Sequence, residues 1–332
     1  MPCLPLPSFA TVIPAFAGIQ KSAAATIAAL LCIVAITVAC ASPTAEPAPT
    51  TPPATTAAAI AVPTVDPNND AINSHLATKV LEVGEQRVAF LLTTQKALVN
   101  APHAQISASR QDGPAGVVDV VADYNEWPYG VRGSYVAIIE FPAPGDYLLT
   151  ASPLGGDITG EARIPVSVLE DASVPSVGDI PPATQTKTLS DGELTLADIT
   201  TSYQPDAELY QVSVADAVAS GRPSVIVFAT PAFCTSPTCG PQVDTVSELR
   251  AANPDAANYI HVELYDNPAE IQGDLSVARV VPAAYEWGFT QIPHWTNESW
   301  VFVLDGDGII RHRFEGFATL NELQAALSEV AK

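Results

Sequence analysis

Positive charge is scarce in this sequence. The 14 Lys and Arg residues stand against 36 Asp and Glu residues, which gives a formal net charge of −22. Proteins that bind nucleic acid carry a basic patch or stripe, and no basic cluster occurs anywhere along this chain. We therefore expect no nucleic-acid partner. The same shortage of cations argues against attraction to anionic lipid head groups, so any membrane attachment must be hydrophobic.

Cysteine is also sparse, with five residues in the chain. Cys3, Cys32 and Cys40 lie in the N-terminal segment, which leaves Cys234 and Cys239 as the closely spaced pair of the remaining sequence. No zinc pattern of two C-x-x-C pairs is present. One pair is too little for a disulfide scaffold, so the sequence predicts a single redox or metal-binding centre.

An uncharged apolar run covers residues 22–39 and ends Thr37-Val38-Ala39-Cys40. A small residue directly before a cysteine resembles a bacterial lipobox, although Thr37 stands where such boxes usually carry a large aliphatic residue. The resemblance implies a signal peptide over residues 1–39 and lipidation of Cys40. The alternative is an uncleaved membrane anchor. Either way we expect the protein at the cell membrane, facing the extracytoplasmic side.

Residues 40–73 are rich in Pro, Ala and Thr, which predicts a disordered tether between the membrane and the folded part. The segment 1–20 is long, uncharged and interrupted by proline, and it fits poorly as the start of a signal peptide. One hypothesis is that translation starts further downstream. N-terminal mapping of the precursor tests this, and finding residues 1–20 there excludes it.

Between residues 74 and 171, apolar and polar residues alternate, which is typical of half-buried β-strands. The clearest runs cover residues 104–109, 135–141 and 162–168. Strands at such intervals, without a long helical period, predict an all-β domain built as a small antiparallel sandwich. The turn at residues 144–147 (Pro-Gly-Asp-Tyr) resembles the late hairpin of immunoglobulin-like domains. We expect this domain to be a spacer or a protein-binding module.

Few residues of this first domain are candidates for binding. Trp127, Pro128 and Tyr129 form an aromatic cluster, for which packing at one end of the sandwich is the simpler interpretation. His75 and His103 are isolated from other metal-ligand types, so we expect them at the surface. The residues that follow, 172–204, are predicted to be a connector to a second domain over residues 205–332.

The stretch Ser224–Pro241 (SVIVFATPAFCTSPTCGP) combines a buried strand with the cysteine pair and the start of a helix. The unpaired N–H groups of a helix N-terminus stabilise a thiolate. After it we predict a helix at 242–252, a strand at 259–265 and a helix at 276–287. A hairpin over 300–314 and a helix opened by a capping box from Thr319 to Glu322 complete the chain.

This order of strand, helix, strand, helix, hairpin and helix resembles the thioredoxin-like superfamily, an α/β fold. The resemblance is carried by FATPAFC…CGP, by the strand HVELY and by VFVLDGDGIIRHRFEG, which looks like the closing hairpin. It implies thiol–disulfide exchange with protein thiols or disulfides of the cell envelope. Cys234 or Cys239 would attack and the other would resolve the mixed disulfide. No cofactor is expected.

Three features depart from the family pattern. The cysteines are spaced C-x4-C rather than C-x-x-C, and Phe233 replaces the usual Trp before the first of them. The position of the family's cis-proline loop falls on Ser299, whereas Pro293 lies six residues earlier.

Two other interpretations of the pair stay open. The chain also resembles the copper-delivering thioredoxin-like proteins of bacterial envelopes, which use a C-x3-C pair and a distant histidine. Soft thiolates select Cu(I), and His294 could join Cys234 and Cys239 as a ligand. Alternatively, the pair is a structural disulfide in a module that only binds partners, as an oxidising compartment permits. Of the remaining histidines, His261 is expected to be packed in a strand and His312 to be solvated.

Overall fold

The alternating sequence of the first half folds into one curled sheet of eight strands. The computed structural model describes residues 71–113, 117–128, 130, 132–296 and 299–331. The strands of this sheet are β1 (Asn73–Leu76), β2 (Leu81–Glu82), β3 (Gly84–Thr93), β4 (His103–Arg110), β5 (Val117–Glu126), β6 (Gly133–Phe141), β7 (Gly145–Leu154) and β8 (Ala162–Leu169).

The strand order β1-β3-β6-β5-β4-β7-β8-β2 explains the curl. Strand β2 pairs in parallel with β8, at the far end of the sheet from β3, yet Val83 alone separates β2 from β3. The sheet must bend to bring these ends together, and Ser74 Oγ of β1 accordingly donates to the carbonyl of Arg163 in β8 at 3.1 Å. Gly84 makes the sharp turn out of β2 with a φ of 101°, which side chains other than glycine rarely adopt.

The interior of the curled sheet is filled by the apolar residues of the alternating runs. Along β8 every second residue, beginning with Ala162, is buried and the others are exposed. Phe90 and Tyr135 stack at 5.5 Å between ring centroids, and the Tyr135 hydroxyl donates to the carbonyl of Ala101 at 3.0 Å. The predicted all-β character is confirmed. The predicted antiparallel sandwich is wrong: the eight strands form a single curled sheet around one core, and β2 pairs with β8 in parallel.

The second half of the chain forms a four-stranded sheet flanked by short helices. Its strands, in the order β10-β9-β11-β12, are β9 (Ser224–Ala229), β10 (Asn258–Glu263), β11 (Trp300–Leu304) and β12 (Ile310–Glu315). Its helices are α1 (Leu196–Ile199), α2 (Val214–Ala219), α3 (Cys239–Ala252), α4 (Pro268–Ile271), α5 (Pro282–Glu286) and α6 (Leu320–Val330). Turns of 3₁₀ helix cover Ala207–Tyr210, Leu275–Val277 and Phe289–Gln291.

Strand β9 is buried on both faces, which is why its sequence is a continuous apolar run. It runs parallel to β10 and antiparallel to β11. Val225 and Val227 belong to the core shared with α3 and α6. Ile226 and Phe228 belong to the opposite core, where Phe228 lies 4.7 Å from Trp287 between ring centroids.

Most elements of this half match the sequence prediction. The capping box of α6 is confirmed, because Thr319 Oγ1 accepts the N–H of Glu322 while the Glu322 carboxylate accepts the N–H of Thr319. The helix predicted over residues 276–287 is wrong in its first half: α5 begins at Pro282, because proline is tolerated in the first turn of a helix and disfavoured in its interior.

The two sheets belong to one compact unit. Arg313 of β12 and Glu82 of β2 form a buried ion pair at 2.7 Å. Glu315 accepts the backbone N–H groups of Lys79 and Val80 at 2.8 Å each. We call the contact made by Glu82, Arg313 and Glu315 the joint.

An aromatic pair packs between the two sheets, and residues of the predicted connector pack in the cores of the four-stranded sheet. The ring of Trp127 lies 5.8 Å from that of Phe317, so the packing interpretation of this tryptophan is confirmed, across the two sheets. Tyr129, the third member of the predicted cluster, lies outside the described residues. Within residues 172–204, Val174 and Ile199 are buried in the cores of the four-stranded sheet.

The predicted signal peptide, Cys40 and the tether lie outside the described residues. Among the residues that the structure describes, no helix combines the length and the apolar character that crossing a bilayer requires.

Candidate functional site

The cysteine pair lies in the loop that leads from β9 into α3. Strand β9 ends at Ala229, and α3 begins at Cys239 itself, three residues earlier than the predicted helix. Cys234 and Cys239 form a disulfide, with their Cα atoms 5.9 Å apart. The central strand of the sheet therefore delivers the pair to a helix N-terminus, as the sequence predicts.

The two sulfur-bearing residues differ in burial. Cys239 is fully buried and packs in the core formed by β9, α3 and α6. Cys234 is only half-buried, on the rim of the same core. Thiol–disulfide exchange requires access to the attacked sulfur, and Cys234 is the more exposed of the two cysteines.

A series of hydroxyl groups runs inward from Cys234, and we call it the hydroxyl chain. Ser236 Oγ lies 3.6 Å from Cys234 Sγ and 2.7 Å from Thr238 Oγ1. Ser299 Oγ lies 3.2 Å from Thr238 Oγ1 and 3.1 Å from the carbonyl oxygen of Gly316. Ser299, predicted to occupy the cis-proline-loop position, is thus fully buried and contacts the residue that precedes Cys239.

Pro293, the other residue considered for that position, is exposed. The peptide bonds of the described residues are all trans, the one before Pro293 included.

A buried carboxyl group anchors the first part of the cysteine loop. The hydroxyl of Thr201 accepts the N–H of Ala232 at 3.2 Å and donates to Glu263 Oε2 at 2.7 Å. Glu263 also accepts the N–H groups of Thr201 and Leu264, at 2.8 and 3.0 Å. Burial raises the pKa of Glu263 against the effect of these hydrogen bonds. Sequence reasoning missed this residue; its signal was an acidic residue within the apolar strand HVELY.

His261 lies behind the same loop and is packed within β10, as predicted. Its Nε2 donates to the carbonyl of Ala229, 3.2 Å away, and its Nδ1 accepts the hydroxyl of Tyr210 at 2.7 Å. Burial lowers the pKa of His261 to about 4. The ring is therefore neutral at neutral pH, with both nitrogens engaged.

A groove of about 290 Å³ borders the cysteine loop. Pro231, Ala232 and Gly240, close in sequence to the two cysteines, form one part of its lining. Tyr203, whose side chain is 95 % exposed, and Asp244 form another. Burial raises the pKa of the Asp244 carboxyl. The groove therefore combines an exposed aromatic ring and an acidic group beside the loop that carries the disulfide.

The remaining histidines lie at or near the surface, as does the candidate copper ligand His294. His75, His103 and His294 are exposed, and His103 Nδ1 lies 2.8 Å from Asp123 Oδ1. His312 was expected to be solvated but is half-buried, 3.0 Å from Glu329. No group of three or more His, Cys, Asp and Glu side chains suited to a metal ion is present among the described residues. The copper set of Cys234, Cys239 and His294 stays a prediction.

Comparison of the chain with protein-family models, with curated proteins and with solved structures finds no match to any of them. The function must therefore be argued from the site itself.

Proposed function

We propose that this chain is a membrane-tethered, extracytoplasmic thioredoxin-like protein that exchanges thiols and disulfides with partner proteins through Cys234 and Cys239. The observation that carries the proposal is the disulfide at the end of the central strand β9, with one half-buried and one fully buried sulfur. This asymmetry assigns two roles: Cys234 meets the partner, and Cys239 resolves the mixed disulfide.

The arrangement of elements supports the thioredoxin-like interpretation. A parallel pair of strands (β9 and β10) is extended by an antiparallel hairpin (β11 and β12), with α3 between the first two strands and α6 at the end. Ser299, just before β11, lies beside the start of α3 through Thr238. The curled sheet, with its resemblance to an immunoglobulin-like domain, has the proposed role of a spacer or protein-binding module.

The exchange is a two-electron reaction. A partner thiolate attacks Cys234 Sγ, which breaks the Cys234–Cys239 bond, forms a mixed disulfide and releases Cys239 as a thiolate that takes up a proton. A second partner thiolate then attacks the partner's own sulfur and releases Cys234 as a thiolate. The partner has been oxidised to a disulfide and the pair reduced to two thiols. The reverse sequence oxidises the pair and reduces the partner.

A structural disulfide is the second candidate function, because the buried Cys239 is part of the apolar core. In that case the bond holds the loop between β9 and α3 while other surfaces bind partners. Structural disulfides of secreted proteins have reduction potentials below about −300 mV, whereas exchange proteins lie above that value.

The test uses the full chain and equilibrates the pair with glutathione or dithiothreitol redox buffers. Exchange predicts a reduction potential above about −300 mV. It also predicts that Cys239→Ala, but not Cys234→Ala, accumulates mixed disulfides with partner proteins in the cell envelope. A potential below that value, with no trapped partner for either variant, supports the structural disulfide instead.

The tether is proposed from Cys40 and the apolar run before it. Mass spectrometry of the mature N-terminal peptide should find a lipid-modified cysteine at position 40, and Cys40→Ser should release the protein from the membrane fraction. An unmodified Cys40 in a chain that keeps residues 22–39 supports an uncleaved anchor.

A further inference from the structure

The hydroxyl of Thr238, the residue before α3, bonds to other side chains rather than to the helix backbone. Thr238 is the N-cap residue of α3, where a threonine hydroxyl ordinarily accepts a backbone N–H of the first helical turn. No such side-chain bond is made here. The hydroxyl instead lies between Ser236 and Ser299, at 2.7 and 3.2 Å. The residue is 3 % exposed, so its hydroxyl needs these partners.

The two outer bonds of the hydroxyl chain can point in either direction, because either partner can be the donor in each of them. A serine or threonine hydroxyl has one proton to donate and two lone pairs to accept with. When Ser299 donates to the carbonyl of Gly316, Ser236 can donate to Thr238, which leaves Ser236 Oγ to accept a proton from Cys234. When Ser299 donates to Thr238, Thr238 can donate to Ser236, and the Ser236 hydroxyl points at Cys234 Sγ.

These two arrangements match the two protonation states of a reduced Cys234. A thiol is a weak donor and suits the inward direction, whereas a thiolate is only an acceptor and suits the outward direction. A hydrogen bond to the charged form of a group favours that form, and bonds to charged groups are stronger than neutral ones. The distances given above place every donor of the outward arrangement within reach.

We infer that Ser236, Thr238 and Ser299 are positioning residues that hold Cys234 as the reactive thiolate through this reversible chain of hydrogen bonds. The inference rests on the proposed function, because the Cys234 thiolate is the leaving group when the pair is reduced and the attacking group when it is oxidised. The chain supplies a hydrogen-bond donor to that sulfur through Ser236 Oγ, 3.6 Å away. It also compensates for the position of Cys234, which lies five residues before the helix N-terminus.

The test measures the rate of iodoacetamide alkylation of Cys234 in the reduced full-length protein from pH 4 to 10, with the modified peptide quantified by mass spectrometry. The midpoint of the rate profile reports the thiol pKa of this cysteine alone. We expect the wild type to lie below the ordinary value of about 8.5. Ser236→Ala and Thr238→Val should raise the midpoint by about 1, a tenfold loss of thiolate well below it.

Two control variants separate positioning from folding. Thr238→Ser keeps the hydroxyl and should keep the wild-type midpoint. Thr235→Ala removes an exposed hydroxyl of the same loop and should change nothing. Ser299→Ala should raise the midpoint of the alkylation profile as well. Because Ser299 is fully buried, the circular dichroism spectrum and the thermal unfolding midpoint of this variant are compared with those of the wild type.

The inference is overturned if Ser236→Ala and Thr238→Val both titrate as the wild type does. This result is independent of the redox test, since alkylation is measured on the reduced protein whether or not it exchanges disulfides. A reduction potential below about −300 mV, together with a midpoint that depends on these hydroxyls, would contradict the exchange function and support the role of the hydroxyl chain. Exchange activity, together with midpoints that do not change in these variants, would support the exchange function and contradict the role of the hydroxyl chain.

Discussion

The carboxylate of Glu315 accepts the backbone N–H of Val80 at 2.8 Å, and so connects the last strand of the four-stranded sheet to the segment before β2. Both residues are buried. Burial raises the pKa of Glu315 to about 7, although the hydrogen bonds from Val80 and Lys79 oppose this rise. The joint between the sheets therefore contains a carboxyl group that titrates near neutral pH.

The first prediction concerns the effect of Glu315 on the pH dependence of stability. Its folded pKa lies above its ordinary value of 4.5, so the folded state binds more protons and the stabilisation is complete below pH 4.5. It is lost as the pH rises towards 7, by about 3 kcal/mol. Relative to the wild type, Glu315→Gln should therefore be more stable at pH 8 than at pH 4.5, as measured by urea unfolding. Glu85→Gln, at an exposed position of β3, should show no such change.

The second prediction is that His261 changes folding stability with pH in the direction opposite to Glu315. Its folded pKa of about 4 lies below its ordinary value of 6.5. The unfolded state therefore binds more protons, and the contribution of His261 is present above pH 6.5 and lost as the pH falls towards 4, again by about 3 kcal/mol. The windows of His261 and Glu315 overlap, so their contributions to the wild-type profile largely cancel.

Removal of the His261 ring should make visible the loss of folding stability that Glu315 causes as the pH rises. In the double variant Tyr210→Phe, His261→Phe, which leaves no unpaired tyrosine hydroxyl, stability should fall steeply between pH 4.5 and 7. Urea unfolding of this variant and of Tyr210→Phe alone provides the comparison. A profile no steeper than that of Tyr210→Phe contradicts the compensation.

The third prediction concerns the anchor of the cysteine loop. Thr201→Val removes the acceptor for the N–H of Ala232 and one donor to the buried Glu263. Glu263 is buried, and removing a partner of a buried polar group costs about 1–3 kcal/mol, so amide exchange in residues 230–236 should accelerate by tenfold or more. Hydrogen–deuterium exchange measures this, and Thr201→Ser should exchange like the wild type. Equal protection in the valine variant would show that the loop is held by other contacts.

The fourth prediction concerns the groove beside the disulfide. Because Tyr203 is 95 % exposed and lines this groove, Tyr203→Ala should slow exchange with protein substrates. Exchange with glutathione disulfide, which is too small to need the groove, should continue at the wild-type rate. Tyr285→Ala, at another exposed tyrosine on α5, is the matched control. An equal loss with both substrates would indicate a change in the loop itself.

Patterns within single elements could be predicted from the sequence. The apolar run of β9, the hairpin over residues 300–314 and the capping box at Thr319 depend on neighbouring residues, and the structure places them where expected. The cysteine loop was found for the same reason, because a strand, a pair of cysteines and a helix follow one another directly in the chain.

Features that depend on distant residues could not be predicted in this way. Nothing near Glu315 in the sequence indicates that it accepts bonds from Lys79 and Val80, more than 230 residues away. The Thr238–Ser299 contact likewise spans 61 residues. The position of Ser299 was found only by counting back from the hairpin, and its hydrogen bonds were not foreseen. Curling of the eight-stranded sheet depends on the pairing of β2 with β8, which no local pattern specifies.

The joint also fixes the arrangement of the two sheets. If one sheet swung away from the other, the ion pair of Arg313 and Glu82 and the bonds to Glu315 would break inside a buried contact, which is costly for charged groups. The two sheets therefore keep one arrangement once the chain has folded. In the proposed exchange, a partner protein that reaches Cys234 meets both sheets as one body.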